Sequence, residues 1–126
     1  MKVFKTKSFG RFQRKEKLSD STLADAITRA ERGLIDASLG RFLIKQRVGR
    51  LGQGRSGGYR TIIVFRSAHR AIFLFGFAKN ELNNISSADE QDLADYGALL
   101  LALDASALQT AIAGGELTEI AYDDET

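Results

Sequence analysis

Two apolar runs joined by a four-residue turn constrain this chain more than any other feature in it. Tyr59 to Arg66 and Ala71 to Ala78 are nearly continuous in Ile, Val, Leu and Phe, and Ser67 to Arg70 form the turn between them. Runs of eight residues rich in β-branched and aromatic side chains predict neighbouring strands whose two faces are largely covered. A third strand precedes them at Phe42 to Val48, where Leu43, Lys45 and Arg47 share one face and Phe42, Ile44, Gln46 and Val48 the other.

The remaining segments supply the cover. Residues 2–7 alternate polar and apolar as a short first strand, and Phe9 to Leu18 form a basic amphipathic helix. Ser19 to Thr22 offer N-caps for a second helix carrying Leu23, Ile27, Ala30 and Leu34, with Gly33 placed to end it. Beyond Ser86 and Ser87, Leu93, Tyr96, Leu100 and Leu103 recur at helical spacing, so the helix is expected to pack on the sheet through them. Asp104 to Ala113 predict a further short helix stopped by Gly114 and Gly115, and Thr118 to Tyr122 an edge strand. The expected fold class is α+β: a three- to four-stranded, mainly antiparallel sheet with two N-terminal helices packed on one face, followed by C-terminal helices.

Charge divides the chain at Asn80. Residues 1–80 hold all 18 Lys and Arg and only five carboxylates, a net of +13, whereas residues 81–126 hold 11 carboxylates and no Lys or Arg. The overall charge of +2 conceals this polarity. At 126 residues the chain fits a single domain, read as a core at 1–86 with an acidic helical extension at 87–126 that screens the basic part. The absence of Cys excludes disulfide scaffolds, thiolate metal sites and cysteine nucleophiles, and a single His argues against a His-rich metal site or a serine triad. No apolar run approaches 18 residues, and the basic N-terminus lacks the apolar core of a signal peptide. No membrane association and a cytoplasmic location are expected.

Chemistry concentrates between Lys45 and Arg60. Five cations, Lys45, Arg47, Arg50, Arg55 and Arg60, lie within 16 residues that contain no carboxylate, and they repel one another unless an anion sits among them. Gly52 to Gly57 match G-x-G-x-x-G, but a strand follows where the dinucleotide fingerprint requires a helix. The segment is therefore read as a basic hairpin loop. If the strands are neighbours in sequence order, Lys45, Arg47, Arg60 and Lys79 converge on one concave face suited to a polyanion.

Such a cluster is able to cleave RNA without metal or histidine. A base removes the 2′-hydroxyl proton, cations stabilise the dianionic transition state, and an acid protonates the leaving 5′-oxygen. A free lysine, with a pKa near ~10.4, is a poor base, but crowding by arginines disfavours the charged form of a lysine.

The ordered combination of Lys45-x-Arg47, the basic glycine loop, Gly58-Tyr59-Arg60 and Gly76-Phe77-Ala78-Lys79-Asn80-Glu81 resembles the RelE/ParE toxin superfamily, and within it the HigB-like branch, over about Val3 to Ser87. The resemblance implies a RelE-like fold, a metal-independent mRNA interferase acting on translating ribosomes with no cofactor, and a cognate antitoxin partner, for which a helix-turn-helix protein is one option. It implies Lys45 and Arg47 as the paired strand cations, with Lys45 the general base, Arg60 the stabiliser of the phosphorane, and Lys79 a charge stabiliser or acid with Asn80 beside it. Arg50 and Arg55 are then expected to grip RNA backbone. Tyr59 is able to stack on a base, although packing within the sheet is the commoner fate of a strand aromatic. The tyrosine frequent in RelE-like members after the third-strand motif is missing from residues 82–95. Two other readings remain open at this level: a ParE-like toxin that binds DNA gyrase, and a non-toxic nucleic-acid-binding module on the same fold.

Overall fold

The computed structural model describes residues 1–50, 54–78 and 84–123, with Arg50 and residues 54–57 described by their backbone alone. The elements are β1 (Lys2–Thr6), α1 (Lys7–Glu16), α2 (Asp20–Glu31), β2 (Ala37–Gly40), β3 (Leu43–Arg50), β4 (Gly54–Arg66), β5 (Arg70–Ala78), α3 (Ser87–Leu101), α4 (Ala105–Ala113) and β6 (Leu117–Ile120). Helix starts follow side-chain caps. Thr6, Ser19, Ser86 and Asp104 each accept a hydrogen bond from the backbone N–H three residues on, at 2.8–3.1 Å.

Six strands form one sheet in the order β2-β3-β4-β5-β1-β6, antiparallel except where β1 runs parallel to β5. The sheet is therefore wider than the three to four strands expected from sequence. The extra width comes from β2, too short and weakly patterned to be read, and from the edge pairing of β6 with β1. Helices also cover both faces instead of one. The α1–α2 pair seals one face over Phe9, Leu23, Ile27, Ile44, Val48, Ile63 and Phe73. On the other, α3 packs over Leu43, Ile62, Val64, Ile72, Leu74 and Phe77. Coverage on both sides explains why β4 and β5 lack polar alternation.

A bulge in β5 divides its phenylalanines. Ile62 pairs with Phe75 and Ile63 with Phe73, which leaves Leu74 as the extra residue. The three phenylalanines spaced two apart consequently do not share a face: Phe73 joins the core under α1 and α2, whereas Phe75 and Phe77 lie on the α3 side. Tyr96, expected in the core, is 42% exposed, because α3 buries Ala94, Gly97 and Leu100 instead.

Candidate functional site

The register of β3 and β4 creates the cationic face. Arg47 stands directly opposite Arg60, and Lys45 opposite Ile62, so Lys45, Arg47 and Arg60 leave the same side of the sheet. It is the side on which α3 packs. That helix covers Leu43, Ile62 and Val64, and its own start is preceded by Asn84, whose Oδ1 accepts from Lys45 Nζ at 3.3 Å and from the Ile85 backbone N–H at 3.0 Å. Ile85 is buried, which fixes Asn84 beside the lysine.

The three cations differ in exposure. Arg47 is exposed and Lys45 half-buried, whereas Arg60 is only 8% exposed. Among the described residues, Arg60 Nη1 is buried and has no hydrogen-bond partner. A buried guanidinium N–H without an acceptor is costly, and a second arginine directly across the ladder adds like-charge repulsion. An incoming anion relieves both costs.

Arg47 is held at the sheet margin by side chains that replace a strand. Pairing between β2 and β3 ends with Ala37 opposite Lys45. Beyond it the Arg47 N–H donates to Asp36 Oδ2 at 2.7 Å, and its carbonyl accepts from Arg29 Nη2 at 2.6 Å. Next to it Gln46, fully buried, donates to the Ala26 and Leu34 carbonyls and accepts from the Asp36 N–H. These contacts fix β3 against α2.

Tyr59 does not fit the RNA-stacking role. Strand alternation places it on the face opposite to Arg60, where it is 2% exposed, meets Phe12 edge-on at 5.5 Å and donates from its hydroxyl to Glu16 Oε1 at 2.7 Å. Its part is to hold α1 on the sheet. Arg50 and Arg55 lie on β3 and β4, in the strand arms that lead to and from residues 51–53, and their side chains are outside the description. Lys79 and Asn80 lie outside the described residues, immediately after Ala78, which pairs with Tyr59. The helix required for dinucleotide binding is absent, since β4 already runs from Gly54. Among the described residues no group of His, Cys, Asp and Glu is placed to hold a metal ion, and no single helix is long and apolar enough to cross a membrane.

Three contributors escaped the sequence reading: Asn84 beside Lys45, and the Arg29–Asp36 pair behind Arg47. Each acts across a large separation in the chain and carries no local pattern. His69, in contrast, occupies an exposed turn as its sequence context suggests, at 3.4 Å from the Leu101 carbonyl.

Comparison with curated proteins returns no match. A family model described as the RelE toxin of the RelE / RelB toxin-antitoxin system matches residues 1–120, spanning the basic part and most of the acidic part alike. With an α+β architecture in agreement, the chain belongs to the RelE toxin family.

Proposed function

We propose that this toxin is a ribosome-dependent endoribonuclease, of the HigB-like kind, that cleaves translated mRNA in the cytoplasm and so inhibits translation. The observation that carries the reading is Arg60: a buried guanidinium, unpaired at Nη1 among the described residues, on the same face as Lys45 and Arg47. A phosphodiester offers this nitrogen an acceptor.

In the proposed reaction Lys45 takes the 2′-hydroxyl proton, and the 2′-oxygen forms a bond to the adjacent phosphorus. Arg60, with Arg47 across the ladder, stabilises the dianionic phosphorane. The bond from phosphorus to the 5′-oxygen then breaks and that oxygen is protonated, leaving a 2′,3′-cyclic phosphate and a 5′-hydroxyl. Lys79, with Asn80, is assigned to charge stabilisation or proton donation at this end on the strength of its motif alone. Arg50 and Arg55 are assigned to the RNA backbone on the same basis.

Expression in bacteria tests the reading. The wild type should arrest growth and cut mRNA within translated codons, and Lys45→Ala combined with Arg60→Ala should do neither. Equal arrest by both proteins without mRNA cleavage would overturn it. Continued translation with double-strand DNA breaks would assign the toxin to gyrase instead.

A further inference from the structure

A lysine that acts as a base has to keep its lone pair turned toward the proton it removes, and the flexible stem of Lys45 fixes no such direction by itself. Among the described residues Lys45 enters no ion pair, and its nitrogen is anchored instead by a hydrogen bond to Asn84 Oδ1 at 3.3 Å. The same oxygen accepts the Ile85 backbone N–H at 3.0 Å. A backbone N–H can only donate, so this second bond decides which end of the Asn84 amide faces the lysine: the carbonyl oxygen, not the amino group. The chain that carries this oxygen is itself held. Ile85 is buried, and Ser86 caps α3 by accepting from the Asp89 backbone N–H at 3.0 Å.

We infer that Asn84 is a positioning residue for Lys45, holding one N–H of its nitrogen so that the lone pair faces the 2′-hydroxyl of the RNA. The inference rests on the proposed role of Lys45 as the base. A neutral amine has two N–H groups and one lone pair. With one N–H on Asn84, the lone pair takes the hydroxyl proton as the 2′-oxygen bonds to phosphorus, and the ammonium formed keeps the same hydrogen bond. The acceptor has to be neutral for this to work. An amide oxygen orients the nitrogen without adding negative charge, whereas a carboxylate in its place would favour the ammonium, which has no lone pair to give. The charged residues nearest Lys45 along the surrounding elements are Arg47 on β3, Arg60 on β4, and Asp89, Glu90 and Asp92 at the start of α3. On the remaining side β2, paired with Lys45 through Ala37, carries no charge, and Asp36 just before it is engaged by the Arg47 N–H and by Arg29.

The test is single-turnover cleavage of mRNA on programmed ribosomes, followed from about pH 6 to 9. Asn84→Ala should cut about tenfold or more slowly at neutral pH while its affinity for the ribosome stays within about twofold of wild type. Asn84→Asp keeps an oxygen for both donors, so it should regain most of the wild-type rate, but only after the rise of rate with pH has moved about one unit upward. A merely structural role would not move the pH profile. Thermal melts establish folding, and should Asn84→Ala alone melt lower, the profile of Asn84→Asp decides. Profiles of both variants that superimpose on wild type, or a slow Asn84→Asp whose profile is not shifted, would overturn the positioning role and leave the nuclease reading standing. No cleavage by the wild type at any pH would overturn the nuclease reading, and this role with it.

Discussion

At position 76 a Cβ would stand 2.4 Å from Phe12 Cε2, so the glycine is required by the approach of a helix ring to the strand beneath it. Gly76→Ala should cost about 1–3 kcal/mol in urea denaturation, since Phe12 also packs against Phe9 and Tyr59 and has little room to withdraw. An unchanged midpoint would show that the ring moves freely. Part of the cationic face is legible in the sequence. The shared face of Lys45 and Arg47 follows from the two-residue period of a strand, and the structure places both on it. That rule also puts adjacent Tyr59 and Arg60 on opposite faces, so placing Arg60 on the cationic face already excludes the tyrosine from it. Nothing local announces Asn84, whose partner lies 39 residues away.

Among the elements, α3 depends on an arginine outside it. Arg70, 9% exposed, donates from Nη1 to the carbonyls of Leu100, Leu101 and Leu103 at 2.8, 3.4 and 3.1 Å, satisfying the end of a helix that has no basic residue in its last turn. Arg70→Ala should therefore lower stability by about 1.5–3 kcal/mol and speed amide exchange in the last turn of α3. The α1–α2 corner is tied by Asp20. The hydrogen bond from Gln13 holds its carboxyl below the usual carboxylate range, partial burial opposes this, and Lys5 reinforces the lowering. A depressed folded-state pKa contributes stability above the unfolded value of about 3.9 and loses it as pH falls through the folded value. Asp20→Asn should thus be less stable than wild type at pH 6, with the difference fading toward pH 2–3; a constant difference would contradict the assignment. Strand and helix identities were legible from periodicity and caps. The bulge at Leu74 was not, because an extra residue in an all-apolar strand leaves no trace in its composition.

Across the whole molecule, the acidic part is built into the sheet it was expected to screen. Leu117 and Ile120 of β6 are buried beside β1, and the pairs Lys2–Glu119 at 3.2 Å and Arg41–Asp95 at 2.7 Å join the two parts. Removing residues 105–126 would therefore remove a strand, and charge neutralisation is the cleaner probe of screening. Asp89→Asn with Glu90→Gln, in the first turn of α3, should strengthen RNA binding severalfold at about 50 mM salt and lose that advantage near 0.3 M. Equal affinities at low salt would show that these carboxylates do not screen the cationic face. Cleavage of RNA by the face formed by Lys45, Arg47 and Arg60 is tested by a reconstituted translation reaction. Primer extension on mRNA from ribosomes given the purified toxin should map cuts to translated codons, with 2′,3′-cyclic phosphate ends, and Lys45→Ala and Arg60→Ala, each shown to be folded by its thermal melt, should cut at least about a hundredfold more slowly. Intact mRNA with the wild-type protein, or equal cutting by folded Arg60→Ala, would contradict it.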